Sequence, residues 1–193
     1  MSKSSITYFD APGSQNTEAV LDIVAERVKN GDIKYVVIAS DSGETGKKML
    51  SRLNGAGVQV VIVTEACGSE EEGKSIMGAD VEKFLRKSGA RIVQATHALS
   101  GVERSINKKI GGASRVETIA ETLRAFFGHG MKVCVEIVIM AADNAAIPCG
   151  EVEIIAVAGS SSGADTACVV RPAHANGFFN FQVREILAMP RKK

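Results

Sequence analysis

Residues 35–46 are Tyr35-Val-Val-Ile-Ala-Ser-Asp-Ser-Gly-Glu-Thr-Gly46, an apolar run followed directly by hydroxyl-bearing residues and glycines. The β-branched run from Val36 to Ala39 predicts a buried strand, and a helical pattern begins at Lys47. A strand that ends in a turn of small residues and opens a helix directs free backbone N–H groups and the positive end of the helix dipole to one point. Such a point suits a phosphate group. An ordinary turn in which Ser42 caps the helix is the other interpretation, because the lysine of a Walker loop is missing.

The rest of the sequence alternates between strand-like and helical patterns. Repeated strand–helix units predict a mostly parallel sheet with helices on both faces, and therefore an α/β fold. The last two strand-like runs have no helix between them, so we expect them to pair antiparallel at one edge of the sheet. Residues 96–114 are predicted to form a loop. Predicted helices span residues 17–30, 45–54, 79–87, 117–127 and 131–145, and predicted strands span residues 34–39, 58–63, 91–95, 152–158, 167–170 and 183–189.

Length and composition predict one soluble globular domain over residues 1–193. The net charge of +1 argues against nucleic acid as a main partner, and no apolar run is long enough to span a membrane. No apolar segment follows the first residues, so no secretory signal is predicted. Cys67, Cys134, Cys149 and Cys168 are scattered without metal-binding spacing, which indicates reduced thiols in a cytoplasmic protein and no metal site.

Four predicted loops lie where ligands of parallel α/β sheets bind, beyond the carboxyl ends of the strands. His97 is a candidate acid or base, with a merely hydrogen-bonded histidine as the alternative. No nucleophile–base pair identifies a catalytic residue. The candidate ligand-binding residues of the first three loops are Ser40, Asp41, Ser42, Gly43, Glu44, Thr45, Thr64, Glu65, Thr96 and His97, and those of the fourth are Gly159, Ser160, Ser161, Gly163, Ala164, Asp165 and Thr166.

The first of these loops resembles a known phosphate-binding segment. Ala39-Ser-Asp-Ser-Gly-Glu-Thr45 is similar to the loop of the pyruvate kinase carboxy-terminal domain that binds a phosphate of the sugar-bisphosphate effector. More of the chain, from about Tyr8 to Pro190, resembles the stand-alone family known as pyruvate kinase alpha/beta domain proteins. The matching stretches are Lys109-Ile-Gly-Gly-Ala-Ser114, Gly130-Met-Lys-Val-Cys-Val-Glu136, Ala141-Ala-Asp143, Ala158-Gly-Ser-Ser-Ser-Gly-Ala-Asp-Thr166 and Val170-Arg-Pro172.

This resemblance implies a three-layer α/β/α sandwich with a mostly parallel mixed sheet, like the carboxy-terminal domain of pyruvate kinase. The barrel that carries the pyruvate kinase active site is not encoded in these residues, so pyruvate kinase activity is not expected. The stand-alone family implies flavin mononucleotide (FMN) as the leading ligand, and the subunit contacts of the related enzyme domain imply a homo-oligomer. The small residues of the 159–166 loop would then let the backbone approach a planar ring or a ribityl chain, unless they form only a polar turn.

Two classes of function remain open under this resemblance. One is an FMN-binding protein, as an oxidoreductase of unidentified substrate, and the other is a sensor or regulatory module that binds another phosphorylated metabolite. A phosphatase-like or transferase enzyme is the weakest interpretation, because no nucleophile–base pair is visible. In the first two, the phosphate would lie on residues 40–45. Asp41 and Glu44 add negative charge there, so we expect both carboxylates to point outward.

Overall fold

A computed structural model of the protein describes residues 4–112 and 114–193; Ala113, in the loop predicted over residues 96–114, lies outside these ranges. Within them, no helix combines the length and the apolar character needed to cross a bilayer. The strands are β1 (Thr7–Phe9), β2 (Tyr35–Ala39), β3 (Gln59–Thr64), β4 (Arg91–Gln94), β5 (Ile154–Ala158), β6 (Thr166–Arg171) and β7 (Gln182–Pro190). The helices are α1 (Thr17–Val28), α2 (Glu44–Arg52), α3 (Ala79–Lys87), α4 (Gly101–Ile110), α5 (Arg115–Phe127) and α6 (His129–Asp143), with short 3-10 turns at Ser14–Asn16 and Ala175–Asn180.

All seven strands form one mixed sheet in the order β1-β7-β6-β5-β2-β3-β4. Strand β6 pairs antiparallel with both of its neighbours, whereas the other pairings are parallel, so β6 alone runs against the rest. From β2 the chain proceeds outward through β3 to β4, and β5 then lies on the other side of β2. The strand order therefore reverses at β2, which places the expected ligand crevice at the carboxyl ends of β2 and its neighbours.

Helices cover both faces of the sheet. Helices α1, α2 and α3 pack on one face, where Val36 and Ile38 of β2 point, and α6 packs on the other, where Val37 points. Helix α5 lies outside α6. Because β2 is buried on both faces, its sequence is continuously apolar, as predicted. The three-layer α/β/α sandwich with a mostly parallel mixed sheet is confirmed.

Helix α4 shows where the prediction of a loop over residues 96–114 was wrong. The other predicted elements match within two residues at each end. No side chain of α4 is buried in the structure, and Val102, Ile106 and Ile110 are exposed. Such a helix gains little from packing. Its apolar residues recur every four positions, but they do not form the wide apolar stripe that marks a buried helix face in a sequence, so α4 was not predicted.

The prediction that residues 183–189 form a sheet edge holds for part of strand β7. Its antiparallel pairing with β6 is confirmed, but β1 pairs in parallel with the carboxyl end of β7 on the other side, with Thr7 opposite Ala188 and Phe9 opposite Pro190. A three-residue strand is too short to show a period of two, so β1 was missed. Among the described residues, β1 therefore covers only the last three residues of β7, and residues 182–187 have no strand partner on that side.

Candidate functional site

A cavity of about 470 Å³ opens at the carboxyl ends of the strands around β2. The four loops predicted from the sequence all reach it, because successive parallel strands deliver their carboxyl ends to the same side of the sheet. The predicted residues that line the cavity are Ser40, Asp41, Ser42, Thr45, Thr64, Glu65, His97, Gly159, Ser161 and Gly163. The predicted residues that do not line it are Gly43, Glu44, Thr96, Ser160, Ala164, Asp165 and Thr166.

Gly43 faces the protein interior instead of the cavity. Its φ of 87° is left-handed, and a Cβ atom there would lie 2.6 Å from Cγ1 of Val81 and 3.0 Å from Cδ1 of Leu85. The glycine is therefore required by the turn and by the packing of α3. A substitution at Gly43 would disturb the fold and cannot report on ligand binding alone.

The start of α2 leaves backbone donors free for a ligand. The buried Ser40 Oγ accepts the Gly46 N–H at 3.1 Å, whereas Ser42 Oγ lies 3.5 Å from the Glu44 nitrogen, which is too long for an effective cap. Among the described residues, the N–H groups of Ser42, Gly43 and Thr45 have no protein acceptor. The side chain that caps the start of α2 is therefore that of the buried Ser40, and not that of Ser42.

The two carboxylates of this loop point in different directions. Glu44 pairs with Lys47 at 2.6 Å on the exposed side of α2, as expected. Asp41 instead lines the cavity, and its Oδ1 accepts the N–H of Glu65 at 3.1 Å. Partial burial raises the pKa of the Asp41 carboxyl above its usual value. The expectation that both carboxylates point outward was therefore wrong for Asp41, because its carboxylate joins the loop after β2 to the loop after β3 through the Glu65 N–H.

His97 and Glu65 lie within ion-pair distance of each other in the cavity wall. The His97 Nε2 lies 2.5 Å from the Glu65 Oε2, and both side chains are largely buried. Burial raises the pKa of the Glu65 carboxyl, while the nearby His97 opposes that rise. A histidine held by a carboxylate beside a cavity can donate a proton to a ligand or accept one from it.

Four basic side chains from α4, α5 and α6 form the opposite side of the cavity, and we call them the cationic wall: Arg104, Arg124, His129 and Lys132. Burial lowers the pKa of Lys132, and the guanidinium groups of Arg124 and Arg104 lower it further against the pull of Glu136. The pKa of His129 is lowered by burial and then by Arg124 and Lys132. The Nε–H of Arg124 donates to the His129 Nδ1 at 3.2 Å. Four carboxylates line the same cavity and offset the basic side chains, namely those of Asp41, Glu65, Glu70 and Glu136.

The model of the family described as pyruvate kinase, alpha/beta domain, matches residues 18–170. The chain belongs to this family. The match spans the strands from β2 to β5 and every loop that reaches the cavity. Membership explains the fold of this pyruvate kinase alpha/beta domain, but it assigns no ligand.

The cationic wall was not predicted from the sequence. One signal for a buried ion pair was present in the sequence. Lys132 and Glu136 stand four residues apart in an otherwise apolar run, and buried charges are rare unless they are paired. The structure shows that they form a buried ion pair on α6. Arg104 lay in the supposed loop, and no local pattern links Arg124 to the strand ends.

The buried Asp165 side chain stabilises the 159–166 loop. The side chain is fully buried, and its Oδ2 accepts the N–H groups of Gly13 at 2.9 Å and Ser160 at 3.0 Å. Its Oδ1 accepts the hydroxyl of Thr166 at 2.8 Å. Asp165 and Thr166 therefore hold Gly159, Ser161 and Gly163 at the cavity without reaching it themselves.

The described residues contain no group of three or more histidine, cysteine, aspartate or glutamate side chains that could hold a metal ion. Cys134 and Cys168 are buried free thiols, and burial raises the pKa of Cys134 well above its usual value. Cys67 is exposed and does not line the cavity. None of these thiols lines the cavity.

Proposed function

We propose that this domain binds a phosphorylated small molecule in the cavity, with FMN as the leading candidate and the phosphate at the start of α2. The observation that supports this most is that the N–H groups of Ser42 and Thr45, two residues that line the cavity, have no protein acceptor among the described residues. The hydroxyls of Ser42 and Thr45 border the same space. Backbone donors and the positive helix end favour a phosphate dianion.

The cavity also offers surfaces for the remainder of FMN. Its lining includes aliphatic side chains of Ile76, Val133, Ile137 and Met140, and the loop glycines leave room for close backbone approach. A flat ring can lie against such aliphatic surfaces. Bound FMN would supply hydride or electron transfer, which makes an oxidoreductase of unidentified substrate the proposed enzyme class. His97, held by Glu65, would be the proton donor or acceptor from the protein.

One observation favours the second candidate, a sensor of another phosphorylated metabolite. The described lining carries many charged side chains and no tryptophan, tyrosine or phenylalanine to stack on a ring. A polar sugar phosphate would suit such a surface. The absorption spectrum of the purified protein separates the two candidates, since a flavoprotein is yellow and a protein that holds a sugar phosphate is colourless.

Titration with FMN and riboflavin tests the position of the phosphate. Changing Ser42 to alanine removes one hydroxyl donor to a charged group and should weaken FMN binding by about 1–3 kcal/mol, or roughly 5- to 150-fold, with riboflavin binding unchanged. Ser51→Ala, on the exposed side of α2, is the control and should change neither affinity. Quenching of flavin fluorescence measures both. Equal affinity of the unmodified protein for the two flavins would remove the phosphate from this loop, and failure to bind either would favour the metabolite sensor.

The opposite orientations of Asp41 and Glu44 make a second prediction about the same ligand. Asp41→Asn removes a negative charge from the cavity but keeps an oxygen for the Glu65 N–H, so FMN should bind more tightly by about 0.5–1.5 kcal/mol, roughly two- to tenfold. Glu44→Gln makes the same charge change outside the cavity and should have little effect. Equal responses of the two variants in the fluorescence titration would contradict a phosphate beside Asp41.

We also propose that the chain self-associates. Val102 and Ile110 of α4 and Phe126 of α5 are 70%, 78% and 64% exposed, and large exposed apolar side chains favour association. The expected result is a homo-oligomer. Light scattering across a dilution series measures its mass, and a constant value near the 20.3 kDa of one chain would contradict the proposal.

The proposed location is the cytoplasm. All four cysteines are free, and two of them, Cys134 and Cys168, are buried in the same cluster behind α6 without forming a disulfide. Free neighbouring thiols are typical of proteins that fold in a reducing compartment.

A further inference from the structure

The chain between β3 and α3, residues 65–78, is far longer than the few residues that usually join a strand to a helix in α/β units. We call it the β3–α3 loop. Two of its side chains, those of Glu70 and Ile76, line the cavity together with Glu65 at its start. Residues 67–75 are all exposed, so Glu70 lies where the cavity meets solvent. The loop therefore borders the mouth of the cavity.

Few contacts hold the middle of the β3–α3 loop to the rest of the protein. Its described backbone hydrogen bonds are internal, such as that from the Gly68 N–H to the Lys74 carbonyl at 2.8 Å. Among the described hydrogen bonds, only that from the Gln94 amide to the Ser75 Oγ at 2.8 Å joins residues 66–76 to another part of the chain. A loop that is compact in itself and has so few outside contacts can open and close as a unit.

Both ends of the β3–α3 loop are attached to the loop at which we place the ligand phosphate. At one end, the Asp41 Oδ1 accepts the N–H of Glu65 at 3.1 Å. At the other end, Met77 is buried, and its Cε lies 3.7 Å from the position that a Cβ atom would take at Gly43. A phosphate at the start of α2 would therefore lie beside both attachments.

We propose that residues 66–76 form a lid that closes over the ligand in the cavity, with Ile76 as its apolar contact to the ligand. The inference rests on the proposed function, because the phosphate at the start of α2 is what places a ligand under the lid. A flat ring gives Ile76 a surface to pack on, and ligand hydroxyl or N–H groups can donate to the Glu70 carboxylate. Such contacts stabilise the closed position of a loop that the protein itself holds weakly.

Limited digestion with trypsin tests the lid, because Lys74 lies in its exposed part. Cleavage there follows the population of the open loop, and a ligand that must leave before the loop opens lowers that population by the factor 1 + [L]/Kd. At an FMN concentration of about 100 times Kd, cleavage after Lys74 should therefore slow by roughly 10- to 100-fold. Cleavage after Lys29, exposed in the connection between α1 and β2 and away from the cavity, is the control and should be unchanged.

A variant tests the contact between the lid and the ligand. Ile76→Ala removes most of the apolar side chain and should raise the rate of FMN dissociation by roughly five- to tenfold. Ile76 is partly exposed, so the variant should fold. Ile6→Ala makes the same change at an exposed residue that does not line the cavity, and it should leave the rate unchanged. Recovery of flavin fluorescence after dilution measures the rate.

The outcomes separate the lid from the proposed function. FMN binding without protection of Lys74, or equal dissociation rates for Ile76→Ala and Ile6→Ala, would overturn the lid and leave the FMN proposal in place. If the protein binds no flavin, the FMN proposal fails, and ribose 5-phosphate replaces FMN in the digestion as the probe for a sugar phosphate. Slower cleavage after Lys74 with this probe would support a lid over another phosphorylated ligand, whereas unchanged cleavage would overturn the lid as well.

Discussion

Replacing Lys132 with methionine is expected to lower the free energy of unfolding by about 3–5 kcal/mol, the usual result when one partner of a buried ion pair is removed. The Lys132 and Glu136 side chains are 3% and 4% exposed, so methionine would leave the Glu136 charge buried without its ammonium partner. In a chain of this length the melting temperature should fall by roughly 6–20 °C. Urea denaturation followed by circular dichroism measures the change.

A double variant separates the lost charge pair from lost packing. Lys132→Met combined with Glu136→Gln removes both charges and keeps an oxygen to accept the Leu99 N–H, so it should recover much of the stability lost in the single variant. If the double variant is no more stable than Lys132→Met, the methionine itself is poorly accommodated and the ion pair is not the cause. A single variant as stable as the unmodified protein would show that water from the cavity solvates Glu136.

Replacing Asp165 with alanine should destabilise the fold by roughly 3 kcal/mol, because three donors lose their acceptor in a buried site. The donors are the N–H groups of Gly13 and Ser160 and the hydroxyl of Thr166. Asp165→Asn should cost less, since an amide oxygen can still accept both N–H groups while the Thr166 hydroxyl accepts from the amide. Ligand affinity should fall in the same order, because the 159–163 loop borders the cavity.

Asp143 offers the matched control for this series. Its carboxylate also accepts a backbone N–H, that of Ala175, but the side chain is 41% exposed, so water can replace it in Asp143→Ala. Urea denaturation of the three variants should rank Asp165→Ala as the least stable, then Asp165→Asn, with Asp143→Ala close to the unmodified protein. Equal stabilities for the two alanine variants would show that Asp165 has no special structural role.

The elements that could be predicted from sequence are those whose local pattern agrees with their burial. Strands β2 and β3 are continuously apolar because both faces are covered, and helix α3 was predicted with its observed bounds, Ala79–Lys87. In the two elements that were not predicted, α4 and β1, the local sequence pattern does not reflect burial. Helix α4 buries no side chain, and β1 has three residues whose pairing depends on β7 at the far end of the described chain.

The loops of the candidate site could be predicted from the sequence, whereas its basic side chains could not, for a related reason. Its loops follow strands, and the geometry of parallel sheets brings the carboxyl ends of strands together whatever the tertiary details. The cationic wall depends instead on how α4, α5 and α6 pack over one face of the sheet. That packing decides that Arg104, Arg124 and Lys132 share a cavity, and no spacing along the chain encodes it.

The parallel pairing of β1 with β7 has a consequence for the order of folding. Thr7 meets Ala188, and the N–H of Arg191 donates to the Phe9 carbonyl at 2.8 Å, so this contact closes a loop of nearly the whole described chain. Contacts of such high sequence separation are slow to form and follow the assembly of the local units. Until β1 docks, β7 presents a bare edge that other chains can pair with. Gly13 lies four residues after β1 and donates to Asp165, so we expect the glycine-serine side of the cavity to be completed only when β1 docks.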